Sequence, residues 1–279
     1  MKIGLYTRYL SPAFSDELQQ LAAALHRRNV TPLLQEGLRE ADFLFSIGGD
    51  GTLLSAVHLL AGKDIPVVGI NFGHLGFLTT AGRDDFDLLV DDLLAGRYTV
   101  EPRTLLHVEV NRRSATASGA KGSPTLTSSA LNEVSLHRID DTNLLRTDLY
   151  VGGDFVATYD GDGLLVATPT GSTAYSLSCG GPILTPDCGC FVITPIAVHN
   201  LSLRPIIVPD TATLRLVTAP GSNLDLGIDS RHHTLPGGTE IILSREQFSV
   251  SLVRLRGQSF FSAIQQKLNW GGHTKKTKK

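Results

Sequence analysis

The sequence predicts an α/β N-terminal domain followed by an all-β, sandwich-like C-terminal domain. Up to about residue 98, short apolar runs alternate with segments of helical periodicity. Beyond Tyr98 apolar and polar residues alternate with a period of two, as Leu106, His107 and Val108 illustrate. The 279 residues, 42% of them apolar and 19% charged, are enough for well-packed cores without disulfides or metals.

The first domain is assigned to residues 1–98. Apolar runs without polar alternation are typical of buried parallel strands, and three occur here: Ile3–Tyr6, Phe43–Ile47 and Ile65–Ile70. The predicted helices are Ser15–Arg28, with Ser15 as its cap, about Leu53–Leu60, and Asp84–Leu94. This βαβ order predicts a parallel sheet with covered faces. A last helix, residues 259–268, is expected to pack back on this domain and complete it.

The β-rich domain is assigned to residues 99–258. After the strand that begins near Leu106, further strands are predicted at Ala130–Leu136, Asp148–Val151, Phe155–Thr158, Leu164–Ala167, Phe191–Thr194 and Thr213–Thr218. Gly152-Gly153 and Gly237-Gly238 predict hairpin turns, where a positive φ favours glycine. Arg112–Ser129, rich in small and polar residues, predicts a mobile surface loop, and residues 271–279 predict a flexible basic tail.

Composition excludes several classes of protein. A net charge of −2 argues against a nucleic-acid-binding protein. No apolar run approaches the roughly 20 residues of a membrane helix. The first residues are typical of a strand and not of a signal peptide, which predicts a cytoplasmic protein. Cys179, Cys188 and Cys190 are an odd number without the usual zinc spacing, so free thiols in a reducing compartment are expected.

The strongest functional signal is the run Gly48-Gly49-Asp50-Gly51-Thr52, between a predicted strand and a predicted helix. Glycines let the backbone approach a phosphate, the N–H groups of a helix start favour an anion, and Thr52 can cap the helix or donate to a phosphate oxygen. The run is neither a Walker loop nor a dinucleotide fingerprint. A carboxylate beside phosphates is repelled unless it holds a cation or accepts a proton, and both are roles in phosphoryl transfer to a hydroxyl. The alternative is that Asp50 only caps the helix.

A second signal is Thr168–Ser178, in which a proline, a glycine and several hydroxyls follow a predicted buried strand. This composition suits a ligand-facing turn that enters a helix whose N–H groups meet a pyrophosphate, and a plain loop is the alternative. Glu133 and Asp162 can accept hydrogen bonds from ribose or amide donors. Glu133 is alternatively a solvent-facing residue of its strand.

Taken together, these motifs resemble those of the NAD kinase family, the ATP- or polyphosphate-dependent NAD kinases. The matching segments follow the family order through essentially the whole chain: Gly48–Thr52, Asn71–Leu78, Asn132-Glu133, Asp160–Leu164, Thr168–Ser178 and Asn200–Pro205. The Gly-Gly-Asp loop alone is shared with lipid kinases and phosphofructokinases, so the later motifs identify the branch.

The resemblance implies a Rossmann-like first domain and phosphorylation of the 2′-hydroxyl of the adenosine ribose of NAD, which gives NADP. Asp50 is then the proton acceptor. The implied binding residues are Gly48, Gly49, Gly51, Thr52, Asn71, Asn132, Glu133, Asp160, Asp162, Thr173, Ala174, Tyr175, Ser176, Leu177 and Ser178. The expected partners are NAD and a phosphoryl donor, ATP or polyphosphate, with Mg²⁺ held mainly through the donor phosphates and no protein metal site. NAD is expected between the domains and a neighbouring subunit of a homodimer or homotetramer.

Two segments depart from the family pattern. Asp229-Ser230-Arg231 stands where the family often shows Asp-Gly-Gln, so Arg231 brings a positive charge that could alter the contact with NAD. Residues 140–143 also differ. Three other functions stay open on the residues: a lipid or sugar kinase of the same superfamily, a dinucleotide sensor without turnover, and a dehydrogenase, although the third glycine of a dehydrogenase is missing.

Overall fold

A computed structural model describes residues 1–8, 12–60, 62–71, 76–82, 85–112, 124–139, 143–221 and 223–271. The chain divides into two compact units, residues 1–102 with 250–279 and residues 103–249. Within the described ranges, no helix has the length and apolar character that crossing a membrane requires.

The elements follow one another in three groups. Residues 2–103 contain β1 (Lys2–Tyr6), α1 (Pro12–His26), β2 (Thr31–Leu34), a 3-10 helix (Gln35–Glu40), β3 (Phe43–Ile47), α2 (Asp50–Leu60), β4 (Val67–Asn71), β5 (Ala81–Gly82), α3 (Phe86–Leu94) and β6 (Tyr98–Arg103). Residues 106–245 contain β7 (Leu106–Arg112), β8 (Leu126–Ala130), β9 (Glu133–Arg138), β10 (Leu145–Val151), β11 (Asp154–Gly161), β12 (Gly163–Ala167), a 3-10 helix (Gly171–Thr173), α4 (Tyr175–Ser178), β13 (Cys190–Ile196), β14 (Ile206–Pro209), β15 (Leu214–Thr218), β16 (Leu224–Ile228), β17 (Arg231–Leu235) and β18 (Thr239–Arg245). The chain continues with β19 (Val250–Leu255) and α5 (Phe260–Leu268).

The first unit is built on a sheet with strand order β2-β1-β3-β4-β19-β6, and β5 pairs with β4. Neighbours from β2 to β19 are parallel, which confirms the α/β class predicted for the start of the chain. Strand β19 lies in this sheet, although the sequence placed residues up to 258 in the β-rich domain. The reason is pairing, since Leu252 is in register with Val67 of β4.

Helices cover both faces of this sheet. On one face α1 and α3 pack on the odd-numbered residues of β3, so that Phe45 of the strand contacts Phe86 of α3 edge to face with ring centroids 5.9 Å apart. On the other face a Cβ on Gly69 of β4 would lie 3.0 Å from the Leu53 side chain of α2. Helix α2 therefore lies tightly against the strand that follows it, and its start is fixed relative to the ends of β3 and β4.

The second unit consists of two antiparallel six-stranded sheets, β11-β10-β15-β18-β7-β8 and β14-β13-β12-β9-β16-β17. Inward-facing residues of both sheets form one core, which includes Leu106 and Leu243 from the first sheet and Val166 and Phe191 from the second. The predicted sandwich-like all-β fold is therefore confirmed. Strand β12 is buried on both faces because a further cluster around Leu184 covers its outer side.

Some predicted strands and turns were wrong, because contacts with residues elsewhere in the chain decide the structure of those segments. The single strand expected at residues 130–136 is two strands, β8 and β9, because Leu131 and Asn132 donate their N–H groups to a side chain. The hairpin at Gly152-Gly153 is confirmed, with φ of +61° and +100°. Gly237-Gly238 is not a hairpin turn, since β17 and β18 belong to different sheets. The strands that were not predicted are β2, β5, β6, β14, β16, β17, β18 and β19.

The predicted loop at residues 112–129 is shorter than expected, because β8 already begins at Leu126 and pairs with β7. Residues 113–123, and the predicted basic tail from residue 272 onwards, lie outside the described residues. Helix α2 begins at Asp50, earlier than the predicted Leu53. The prediction relied on apolar periodicity, and the first turn of α2, Asp50-Gly51-Thr52, contains no apolar side chain.

Candidate active site

The glycine-rich run of the first unit lies at the carboxyl end of the parallel sheet, where ligands of open α/β sheets bind. Strand β3 ends at Ile47, and the N–H of Gly48 then donates to the Ile70 carbonyl of β4 at 2.8 Å. Gly48 has a φ of +146°, and a Cβ there would lie 2.4 Å from Thr52 Oγ1. The first position of the run therefore needs glycine for both its conformation and its contact.

Asp50 is the first residue of α2, and its carboxylate is fixed by backbone donors from the segment after β4. Oδ2 accepts the N–H of Phe77 at 2.8 Å, and Oδ1 accepts the N–H of Leu78 at 3.1 Å. A Cβ on Gly76 would lie 1.7 Å from Oδ1, so the carboxylate fits only against a glycine. Each oxygen keeps a lone pair, which leaves the carboxylate able to accept a proton from a ligand hydroxyl.

Gly76, Phe77 and Leu78 were missed as site residues, although they belong to a motif that sequence reasoning recognised. The signal was a Gly-Phe-Leu run shortly after a buried strand, but nothing local indicates that its N–H groups reach Asp50. Asn71, the predicted binding residue of the same motif, is the last residue of β4 and is 8% exposed. Residues 72–75 of the motif lie outside the described residues.

The other residues of the run differ in what surrounds them. A Cβ on Gly49 would meet nothing within 4 Å, so the backbone there is open to an approaching ligand. A Cβ on Gly51 would lie 4.0 Å from the guanidinium of the exposed Arg8. Thr52 is buried and is the third residue of α2, so the predicted capping role was wrong.

A lysine from the end of the chain also reaches this region. The Lys267 ammonium of α5 lies over the Phe77 ring, 4.4 Å from its centroid. Burial lowers the pKa of Lys267, and the nearby negative charge of Asp50 opposes that shift. Sequence reasoning missed both Arg8 and Lys267, because each is far from the glycine-rich run along the chain.

In the second unit, Asp229 organises the predicted Asn-Glu pair. Its carboxylate accepts three consecutive backbone N–H groups, those of Leu131 at 2.9 Å, Asn132 at 2.8 Å and Glu133 at 3.3 Å. Its own N–H donates to the Glu133 carbonyl at 3.0 Å. Burial raises the pKa of Asp229, and the three N–H donors oppose that shift. The pair is therefore held by a residue about a hundred positions away.

Two acceptor atoms of this pair are buried without a hydrogen-bond partner among the described residues, Asn132 Oδ1 and Glu133 Oε2. Burial and the charge of Asp229 raise the pKa of Glu133 to about 8, although a backbone N–H of Tyr175 bonds to its carboxylate. Buried acceptors without a partner are rare in native proteins and each needs an explanation. A ligand that donates two hydrogen bonds would satisfy both atoms.

The Thr168–Ser178 segment forms a 3-10 turn followed by the four-residue helix α4, and several of its hydroxyls support the fold. Thr168 Oγ1 donates to the Leu131 carbonyl at 2.5 Å, Ser172 Oγ bonds to Pro169 and Leu184, and Ser176 Oγ lies 3.0 Å from Thr194 Oγ1. A Cβ on Gly171 would lie 2.0 Å from the Asn132 carbonyl oxygen. The segment therefore packs directly on the Asn-Glu pair.

The predicted contact residues of this segment divide by exposure. Tyr175 and Ser178 are exposed, Thr173, Ala174 and Leu177 are half-buried, and the Ser176 side chain is fully buried. The Tyr175 ring stacks on His137 with centroids 5.6 Å apart. Burial raises the pKa of Tyr175, and Cys179 and the charges of Asp162 and Glu133 add to the shift.

The two predicted aspartates at the end of β11, Asp160 inside the strand and Asp162 just after it, have protein partners, and so has the unusual arginine. Asp162 Oδ1 accepts from Arg138 Nε at 2.7 Å, and the Asp160 carboxylate lies 3.9 Å from Arg146. Arg231 donates to Ser128 Oγ at 2.8 Å and to the Ser129 carbonyl at 2.6 Å. Arg231 therefore links the edge strand β17 of one sheet to the edge strand β8 of the other. Residues 140–142 lie outside the described residues.

Family models and the sequences of related proteins both match the chain. Family models described as the ATP-NAD kinase N-terminal domain and the ATP-NAD kinase C-terminal domain match residues 13–98 and 131–255. The chain is 36% identical over 296 residues to an NAD kinase of Christiangramia forsetii, covering 97% of this chain and 98% of the relative. It is 42% identical over 231 residues to an NAD kinase of Porphyromonas gingivalis, covering 82% of this chain and 76% of the relative.

Solved structures resemble the chain over nearly its whole length. Yeast NADH kinase, solved in complex with NADH, superposes with a TM-score of 0.88 at 24% identity. The match covers 100% of this chain and 90% of the yeast chain, and at this identity it shows the fold alone. An NAD kinase from Archaeoglobus fulgidus, solved in complex with ATP, has a TM-score of 0.77 at 26% identity and covers 96% of this chain and 99% of its own.

Proposed function

The chain belongs to the NAD kinase family and is an NAD kinase, and we propose that Asp50 is the base of the reaction. Asp50 accepts the proton of the 2′-hydroxyl of the adenosine ribose. The hydroxyl oxygen forms a bond to the terminal phosphorus of the donor as the bond from that phosphorus to the leaving oxygen breaks. The products are NADP and the shortened donor.

One observation carries this proposal. The Asp50 carboxylate is held in a single orientation by the N–H groups of Phe77 and Leu78, and it has lone pairs left for a proton. Fixing a base in this way favours the reactive geometry before the substrate arrives. A residue that only caps a helix would bond to the N–H groups of its own first turn.

We propose that Asn132 Oδ1 and Glu133 Oε2 accept hydrogen bonds from hydroxyl or amide donors of NAD. Their burial without partners supports this role. The remaining proposed binding residues are those that the family resemblance implies: Gly48, Gly49, Gly51, Thr52, Asn71, Asp160, Asp162, Thr173, Ala174, Tyr175, Ser176, Leu177 and Ser178. For Ser176 the proposed contact is through the backbone, because its hydroxyl faces Thr194.

We propose ATP as a donor, supported by the family description and by the ATP complex of the Archaeoglobus fulgidus structure. The divalent cation would enter with the donor phosphates, because Mg²⁺ is usually held by one or two carboxylates together with phosphates and water. In the described part of the chain, His, Cys, Asp and Glu side chains do not gather in threes as a metal cage would require.

We propose that the enzyme acts in the cytoplasm as a homodimer or homotetramer. The three cysteines are free thiols, which suits a reducing compartment. The oligomer rests on the family resemblance. Light scattering coupled to size-exclusion chromatography checks it, and a monomer with full activity would contradict it.

The test of the base is Asp50→Asn, assayed for NADP formation from NAD, ATP and Mg²⁺. We expect kcat to fall by on the order of a hundredfold or more, because an amide cannot take the proton. Asp64→Asn is the matched control, since Asp64 is exposed and lies beyond the opposite end of α2. Equal rates for wild type and Asp50→Asn would remove Asp50 from the reaction. No NADP from the wild type with ATP, other triphosphates or polyphosphate would favour a sensor.

A further inference from the structure

The C-terminal helix α5 is anchored beside the Asp50 site. Ser259 caps its start, with reciprocal hydrogen bonds of 3.1 Å to Ser262. The side-chain amide of Gln258, just before the helix, donates to the Thr80 carbonyl, and Ile264 is buried. Thr80 follows the segment whose N–H groups hold Asp50. The position of the helix is therefore tied to the segment that fixes the base.

This anchoring places Lys267 where a ligand of Asp50 would meet it. The Lys267 ammonium lies 4.4 Å from the centroid of the Phe77 ring, and the N–H of Phe77 donates to Asp50. One residue thus contacts both the carboxylate and the ammonium. Among the described residues no carboxylate lies within ion-pair distance of Lys267 Nζ, and a ring face accepts no more than one side of an ammonium.

We propose that Lys267 binds the phosphoryl donor, with its ammonium donating to oxygens of the phosphate that is transferred. The proposal rests on Asp50 as the site of transfer. A carboxylate and a polyphosphate repel each other, and phosphoryl transfer depends on cations that neutralise the oxygens of the moving group. Lys267 supplies such a charge from the protein, and its ammonium already lies over the Phe77 ring before the donor arrives.

The location of a second cation supports a donor site on this side of α2. Arg8 is exposed, and its guanidinium lies 4.0 Å from the position that a Cβ on Gly51 would take. Arg8 and Lys267 therefore both lie near the first turn of α2. Guanidinium and ammonium groups are the side chains that recognise phosphates.

The alternative is that Lys267 only covers Phe77 with its apolar stem, as long charged side chains often do. The two roles differ in what they predict. A stem that merely packs can be replaced by glutamine without a change in donor binding. A phosphate ligand needs the charge, so arginine should largely preserve its effect and glutamine should not.

The test measures equilibrium binding of ATP, and of inorganic tripolyphosphate, at fixed Mg²⁺ by calorimetry. We expect Lys267→Gln to weaken both ligands by about tenfold or more and to leave NAD binding within twofold. Lys267→Arg should stay within a few-fold of wild type. Lys63→Gln removes the same charge from an exposed position beyond the far end of α2 and should change nothing.

Unchanged binding of ATP and tripolyphosphate by Lys267→Gln would overturn the proposal. Equal weakening of NAD and ATP, with a lower unfolding temperature in both Lys267 variants, would also overturn it, because the residue would then be structural. The role of Asp50 is read separately. Asp50→Asn should lose turnover and keep tripolyphosphate binding, so failure of the base and failure of the lysine give different results.

Discussion

Asp50 in the first unit and Glu133 in the second are both half-buried carboxylates, but their surroundings differ. The Asp50 carboxylate accepts two backbone N–H groups, lies at a helix start and has a lysine nearby. Glu133 receives one N–H, from Tyr175, and its pKa is raised to about 8 by burial and, to a smaller extent, by the charge of Asp229. Asp50 therefore lies near N–H donors and an ammonium group, whereas Glu133 is desolvated and lies near a second carboxylate.

The difference in surroundings suits two different roles, a catalytic base at Asp50 and a ligand-binding residue at Glu133. A base that takes a proton must be ionised and correctly oriented before the substrate binds, and backbone donors at Asp50 supply that orientation. A residue that recognises a ligand contributes more binding free energy when the ligand supplies a hydrogen bond that the free protein lacks. Glu133 has one such oxygen, which is buried without a partner among the described residues. The ligand's donors then favour the ionised form that the unliganded protein disfavours.

Among variants that keep both carboxylates, the largest expected effect comes from Gly76→Ala, which displaces the Asp50 carboxylate without removing it. The added Cβ would lie 1.7 Å from Asp50 Oδ1, so the carboxylate or the backbone must move. We expect kcat to fall about a hundredfold, because misplacing a catalytic group by about 1 Å costs this much. Steady-state kinetics measure it. Gly37→Ala, where the nearest atoms are 3.5 Å away, is the control. Full activity in Gly76→Ala would mean that the position of Asp50 is not critical.

Asp229→Asn tests how the second carboxylate is held. The amide keeps one acceptor oxygen and tolerates the φ of +50° at this position, but it loses the charge that binds three N–H groups. We expect about 2–3 kcal/mol of lost stability in denaturant unfolding, since hydrogen bonds to charged groups are the strong ones. The KM for NAD should rise about tenfold. Asp154→Asn, at the exposed first residue of β11, is the control, and equal stability of the two variants would contradict the role of Asp229.

Glu133→Gln gives a pH-dependent effect. The pKa of Glu133 is raised from 4.5 to about 8 on folding, so its contribution to stability is present at low pH and is lost as pH rises through 8. Glutamine cannot ionise. We therefore expect the free energy of unfolding of the variant, relative to that of wild type, to rise by on the order of 1–2 kcal/mol between pH 5 and pH 9. Unfolding measured across this range checks it, with the exposed Glu40→Gln as control. Parallel profiles for wild type and Glu133→Gln would show that Glu133 titrates normally.

Arg231→Gln should have the smallest effect. Its guanidinium bonds to Ser128 and Ser129, so we expect about 1 kcal/mol of lost stability and a KM for NAD within twofold of wild type. Chemical denaturation and steady-state kinetics measure the two quantities. A large change in KM would mean that Arg231 contacts NAD, and that Asn132 and Glu133 are not the only recognition groups near Asp229.

Local patterns were enough for part of the fold and of the site. Strands such as β1 and β3 were predicted because an apolar run of that length has few other structures available. Strand β16 keeps apolar residues at alternate positions, but it is short and contains Asp225 and Gly227, which are depleted in strands. Strand β17 was missed because an arginine and two histidines stand where an apolar alternation would be recognised. Asp50 was identified because the glycines on either side of it are themselves a local signal. Gly76 was not assigned a role, because the contact that requires glycine is with a residue 26 positions earlier.

The two fold classes, the strand-to-helix turn that carries Asp50 and the family could all be predicted from the amino-acid sequence. Each of these depends on the order and type of neighbouring residues, which fix periodicity and backbone conformation. Three contacts become visible only in the folded protein: Phe77 and Leu78 hold Asp50, Asp229 holds the Asn132-Glu133 pair, and Lys267 lies over Phe77. Those contacts join residues far apart in the chain, and burial and hydrogen bonding bring such residues together only once the chain has folded.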